Sequence, residues 1–293
     1  MQFSEEFRKK TLPYFLIAPV VIYYATFWFY PVLRCVAGSF QDASGRFTFE
    51  NYLYIFHDPN FYKACFNTAF IVIFSVALEF TLAFGLALLI NTKFKGSGIF
   101  LFIAMIPMAL PPVAVGAMWS SGFATYGWMN SFFYILGLIE KSGKIPFLAA
   151  GEFASMLLII LIDAWQVIPF MMIILLAGMQ NLNKELQEAG YIFGANGLTV
   201  LRKITIPLLK STITTAMILR IISAIQIWLI IVMIYGYNRL PVLVEQLVFF
   251  KREMRGPQFF QIAIAYSVLI AVIVSMMSIV YLKVSGALKE EDA

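Results

Sequence analysis

Three charged side chains lie where charge is expensive. Glu79, Asp163 and Arg220 each fall within a long apolar run. A charge in a hydrocarbon environment persists only when it is paired or used. Glu79 and Arg220 sit near the middle of their runs and can pair with each other, which would make them structural. Asp163 lies in the outer half of its run, with Gln166 and Phe170 on the same helical face at i+3 and i+7. Carboxylate and amide groups can bind neighbouring hydroxyls through two hydrogen bonds, and an aromatic ring can cover the apolar face of a pyranose. Ser223 and Gln226, spaced i and i+3, can face the same cavity from another run. Trp165 and Trp228 are weaker candidates, because aromatic residues in such runs more often pack or anchor at an interface.

The elements that must position these groups follow from composition. Hydrophobic residues make up 61% of 293 and charged residues 13%, against about 25% charged in a soluble domain. The missing charge is concentrated in runs of about 20 residues or more, the length a helix needs to cross a bilayer. Short alternating segments of the barrel type are absent. Six runs qualify: 12–33, 66–90, 99–121, 153–179, 208–234 and 259–282. The expectation is an all-α integral membrane protein, a single domain over 1–293 with six transmembrane helices. Pro13, Pro19 and Pro31 predict a bent or broken first span. That span reads as an uncleaved helix, too long for the core of a signal peptide.

An even number of spans puts both termini on one side. Of the 21 Lys and Arg, eleven flank the side of the termini, nine the other, and Arg220 is inside a span. With the cluster Arg8-Lys9-Lys10 ahead of the first span, this favours cytoplasmic termini. Basic residues that flank spans form no stripe for nucleic acid. Cys35 and Cys65 bracket the first outer loop. Two unpaired residues is the expectation, and a disulfide is the alternative that an outer location permits. Outer segment 122–152 carries the aromatic stretch Tyr126-Gly127-Trp128. Segment 235–258 carries an amphipathic surface element at Val244–Phe250 followed by Lys251-Arg252-Glu253. The tail from Lys289 reads as solvated chain.

The inner loop 180–207 stands apart. Asn183 can cap a helix whose first turns hold Glu185 and Glu188, near the positive helix end. Gly194 and Gly197 interrupt it, and 198–206 resumes an apolar pattern, giving helix, glycine turn, helix. Tyr191, Ile192 and Phe193 on such a projection need a partner to bury them.

Glu188-Ala189-Gly190, three residues, Gly194, nine residues, then Ile204-Thr205-Ile206-Pro207 is similar to the EAA loop of ABC-importer permeases. That family pattern reads E-A-A, three residues, G, nine residues, I-x-L-P. Gly190 stands for alanine, Phe193 for a frequent aspartate and Ile206 for leucine. Asp163-Ala164-Trp165-Gln166-Val167-Ile168-Pro169-Phe170 resembles the W-x-x-x-P stretch of maltose-type sugar permeases, and Asn67-Thr68 opening span two fits as well. Tyr235-Gly236-Tyr237-Asn238 departs from a Gly-Gly-Pro segment frequent in that group.

The resemblance implies a type I ABC importer permease fold with a cytoplasmic coupling helix. The residues it places against an ATPase are Glu188, Ala189, Gly190, Phe193, Gly194, Ile204 and Pro207. It also implies that the chain is a non-catalytic subunit forming half of a pathway for a sugar or oligosaccharide. Its implied partners are a second permease subunit, two ATPase subunits that hold ATP and Mg, and an external solute-binding protein. Asp163, Gln166, Phe170, Ser223 and Gln226 are its expected substrate pathway. The chain has no phosphate loop of its own: the nearest string, Gly137 to Ile145, has the wrong spacing and lies outside. Two alternatives stay open: a non-sugar solute such as glycerol phosphate or a polyamine, and a proton-coupled secondary transporter with Glu79 and Asp163 as relay groups. The second would need internal repeats, which are not evident.

Overall fold

The computed structural model describes residues 2–140, 143–252 and 256–286, with side chains from Thr11 onward. Lys141, Glu253, Arg255 and the tail from Lys289 lie outside the described residues, as do the side chains of Arg8, Lys9 and Lys10. Among the described residues the ordered elements are helices, apart from an isolated bridge between Gln41 and Phe47. Helix is the expected outcome for runs this apolar, because a bilayer offers no water to satisfy backbone N–H and C=O groups.

Helix α1 (Gln2–Tyr24) continues through a π-helical turn, Ala25–Phe29, into α2 (Tyr30–Ser39). The break expected from the three prolines does not occur, and Thr11–Ser39 runs as one apolar helix. Pro31 sits in the first turn of α2, and the widened turn before it makes room for a ring that would otherwise clash with the carbonyl four residues back. Asn51, on α3 (Glu50–His57), donates to the carbonyls of Ser39 (3.0 Å) and Gln41 (2.9 Å), fixing the outer turn.

Helix α4 (Pro59–Asn91) packs most extensively against α8 (Glu152–Gln180). Between them in chain order come α5 (Ser97–Met105), α6 (Pro112–Phe123) and α7 (Trp128–Ile135). The third apolar run is not straight. Ser97–Ala109 and Pro112–Phe123 meet at 94° around Leu110, where Pro107, Pro111 and Pro112 crowd into six residues. Helices α9 (Lys184–Ile192), α10 (Gly197–Val200) and α11 (Ile206–Leu208) follow, then α12 (Lys210–Ile225) and α13 (Leu229–Tyr235). The fifth run is bent by 69° at Leu209 and leaves helical geometry at Gln226–Trp228. Among the described residues four helices alone are long and apolar enough to cross a membrane, or six when each bent pair counts as one span.

Helix α14 (Leu243–Arg252) begins in the outer segment, and α15 (Pro257–Ser285) is the last long apolar helix. Glu245 and Gln246 of α14 are buried. The Glu245 carboxylate accepts from the Asn238 N–H at 2.9 Å, and Gln246 donates to both the Asn238 side chain and Glu245. Asn67 donates to the carbonyl of Pro241, and the Thr68 hydroxyl accepts from the Leu243 N–H, each at 3.0 Å. The Asn67-Thr68 pair therefore ties the segment around Pro241–Leu243 to α4. Cys35 and Cys65 are both free thiols.

By its internal contacts the chain divides into two compact units, residues 1–58 with 247–269 and residues 59–246 with 270–293. Every candidate site residue belongs to the second. Its core has one cluster around Ile71, Val115, Ile159, Ile162 and Ile231, and another around Ala83, Ala87, Met171, Met172, Leu175 and Leu209.

Candidate functional site

The three intramembrane charges meet. Arg220 on α12 reaches α4 and α8 at once: its Nε donates to Glu79 Oε2, and its Nη2 donates to Glu79 Oε1 at 2.9 Å and to Asp163 Oδ2. Its Nη1 donates to the Ser223 hydroxyl at 3.1 Å. Glu79 is fully buried, and Asp163 and Arg220 are 4% and 2% exposed. The pairing expected for Glu79 and Arg220 is present, but Asp163 belongs to the same cluster. Arginine suits this junction, because its planar fork of donors can engage one carboxylate with two bonds and a second with another. Removing those ions from water costs several kcal/mol each, which the close contacts offset.

One wall of this triad opens on a cavity of about 480 Å³. Asp163, Gln166 and Phe170 line it from α8, Arg220 and Ser223 from α12, and Gln226 from the irregular segment that follows. The two faces picked out by spacing in the sequence therefore converge on one space. Trp228 joins them there, while Trp165 lines a separate apolar cavity with Trp119, Phe123 and Phe133. The rest of the lining is apolar, with Met108, Pro112, Val167, Ile227, Leu229 and Ile230. A mostly apolar pocket with few convergent polar groups, within about 300–1,000 Å³, is the usual form of a small-molecule site.

Two of the three breaks in the helices border this space, the 94° bend and the irregular segment 226–228. The 94° bend leaves Leu110 without a helical hydrogen-bond partner for its carbonyl, and Gln166 Nε2 donates to that oxygen at 2.8 Å. In α12 the last turn closes through Gln226 N–H to Ser223 O (3.2 Å) and Ile227 N–H to Ala224 O (3.1 Å), and regular helix resumes at Leu229. Irregular backbone at membrane depth is tolerated where it lines a polar cavity. Reading the sequence for charge and spacing missed these breaks as parts of the site; the proline cluster 107–112 was the available signal for the first.

The loop 180–207 has the helix–turn–helix form expected of it. Asn183 accepts from the Glu185 N–H at 3.0 Å and caps α9, and Gly194 turns the chain at φ +80°, a left-handed conformation that suits glycine. Asn196 then caps α10 by accepting from the Thr199 N–H at 2.8 Å. Gly190 allows α9 to lie close to the return segment: a Cβ there would stand 2.7 Å from Ile204 Cδ1 and 3.3 Å from Val200 Cγ2. Gln187 donates to the Thr205 hydroxyl at 3.3 Å, so α9 and the π-helical turn Leu201–Thr205 form one packed unit. Ala189 and Ile204 are half-buried, whereas Glu188, Gly194 and Pro207 are exposed. At the tip, Ile192 is 83% and Phe193 90% exposed.

Comparison with known proteins agrees along nearly the whole chain. The family described as binding-protein-dependent transport system inner membrane component matches residues 79–286. The trehalose/maltose transport system permease protein MalF of Thermococcus litoralis is 31% identical over 291 residues, 95% of each chain. The sulfoquinovosyl glycerol transport system permease protein SmoG of Agrobacterium fabrum is 34% identical over 74% of this chain and 71% of its own. In fold, the chain matches one from the crystal structure of a bacterial alginate ABC transporter in complex with an alginate pentasaccharide-bound periplasmic protein. The TM-score is 0.80 at 19% identity, over 97% of each chain. With several helices long and apolar enough to span a membrane and a loop 180–207 of the expected spacing, the chain belongs to the binding-protein-dependent transport system inner membrane components, the permease subunits of ABC importers.

Proposed function

We propose that this chain forms half of the translocation pathway for a sugar or oligosaccharide, received from an external solute-binding protein. The observation that carries the reading is the cavity beside the triad. Asp163, Ser223 and Gln226 offer it hydrogen-bonding groups, Gln166 offers its amide oxygen, and Phe170 and Trp228 offer aromatic faces. A hydroxyl-rich solute with apolar ring faces suits that mixture. The names of the relatives support a carbohydrate or related cargo.

In this reading the chain works as a single permease domain with both termini cytoplasmic in the cell membrane. A second permease subunit completes the pathway. Two ATPase subunits bind ATP and Mg, and α9 with its exposed tip sits in a groove on one of them. Glu188, Ala189, Gly190, Phe193, Gly194, Ile204 and Pro207 make or shape that contact. Closure of the ATPases then moves α9, and its packing on the segment 200–205 passes the motion to α12, which carries Arg220 and Ser223.

The test is uptake into proteoliposomes that contain the permease pair, the ATPases and the loaded binding protein, across a sugar panel. Gln226→Ala should lower uptake while binding-protein-stimulated ATP hydrolysis survives. Unchanged uptake by this variant would place the solute elsewhere. Transport of glycerol phosphate or a polyamine, with every sugar refused, would replace the carbohydrate reading.

A further inference from the structure

We infer that the cavity accepts uncharged carbohydrate and discriminates against uronates and sugar phosphates, because its cation is already neutralised inside the protein. This rests on the carbohydrate reading above. A carboxylate or phosphate is normally held by a guanidinium or ammonium with donors to spare. Among the described residues that line the cavity, Arg220 is the one cation. Four of its five N–H groups are committed, to Glu79 twice, to Asp163 and to Ser223. Glu79 is fully buried, so a solute cannot displace it from the cavity side.

With both carboxylates ionised the triad carries a net charge of −1, and with one proton held it is neutral. In neither state does the wall carry surplus positive charge. An anionic solute would meet like charge or none in a medium that screens poorly. A cationic solute meets no such repulsion, so the charge balance of the triad selects against anions alone. Hydroxyls are what the exposed Gln226 amide can serve, while Ser223, which donates to the Arg220 carbonyl at 3.0 Å and accepts from its Nη1, keeps only acceptor capacity.

The experiment uses the permease–ATPase complex in nanodiscs without its binding protein, so that the selection read is the permease's own. Tryptophan fluorescence is followed while maltotriose or trigalacturonate is added, and Trp228→Phe assigns the signal to the cavity. Maltotriose should titrate at a concentration lower than trigalacturonate by about tenfold or more. Glu79→Gln and Asp163→Asn, each removing one negative charge, should shrink that ratio. Equal titration, tighter binding of the uronate, or an unchanged ratio in a folded variant overturns the inference and leaves the carbohydrate reading standing. Should neither variant fold, the wild-type ratio decides alone. A response to neither trisaccharide overturns this inference, and uptake across the sugar panel then decides the carbohydrate reading separately.

Discussion

At the scale of single residues, Arg220 is where stability and transport are hardest to separate. Its removal leaves two buried carboxylates unpaired, and breaking a buried ion pair from one side costs about 3–5 kcal/mol. Arg220→Met should therefore lower the unfolding temperature of the purified complex sharply, as read by a thermal melt in detergent. Gln226 is exposed on the cavity. Gln226→Ala should leave the melt within about 0.5 kcal/mol of wild type while uptake falls. Asp163→Ala is a poorer probe than the sequence suggests, because it removes a cavity-lining group and a triad member together. The helical spacing of Asp163, Gln166 and Phe170 was legible because i, i+3 and i+7 are fixed within one helix. The Asp163–Arg220 and Gln166–Leu110 contacts were not. Their partners lie 57 and 56 residues away, and the register between two helices is written in no local pattern.

At the scale of elements, the informative features are the turns and breaks. Gly194 sits at φ +80° with exposed surroundings, so Gly194→Pro cannot adopt the native turn. It should abolish transport while the chain still inserts, as shown by normal membrane yield and absent uptake; full uptake would remove α9 from the coupling role. Gln166→Leu leaves the Leu110 carbonyl orphaned at the 94° bend, with an expected loss of about 1–3 kcal/mol in the same melt. The outer segment offers a pH test. Burial holds the Glu245 carboxyl above its ordinary range, against opposing hydrogen bonds from the Asn238 N–H and from Gln246. The folded state thus keeps that proton more tightly than the unfolded one. The stabilisation is complete below the ordinary carboxylate value and is lost as pH rises through the raised one. Glu245→Gln should flatten the unfolding temperature across that window. The proline cluster 107–112 announced an interruption, but only the folded chain showed that its free carbonyl would be met by Gln166.

At the scale of the whole molecule, composition decided the class and a single loop decided the machine. Runs of uncharged residues can satisfy their backbones in lipid only as helices, so the all-α architecture was legible at once. The irregular segment 226–228 was hidden, because its sequence Gln-Ile-Trp carries no proline or glycine to mark it. The proposed assembly predicts that affinity purification of this chain from its native membrane brings down a second permease and twice as many copies of an ATPase. Recovery of the chain alone, still active in uptake, would count against it.

The projecting tip has a further consequence for how the protein must be made. Ile192 and Phe193 present bare apolar surface to water until another subunit covers them. A chain synthesised ahead of that subunit is a sticky intermediate, prone to self-association and open to quality-control proteases. If the proposed ATPase is the subunit that covers the tip, the abundance of this chain in a cell should follow the supply of that ATPase rather than its own rate of translation.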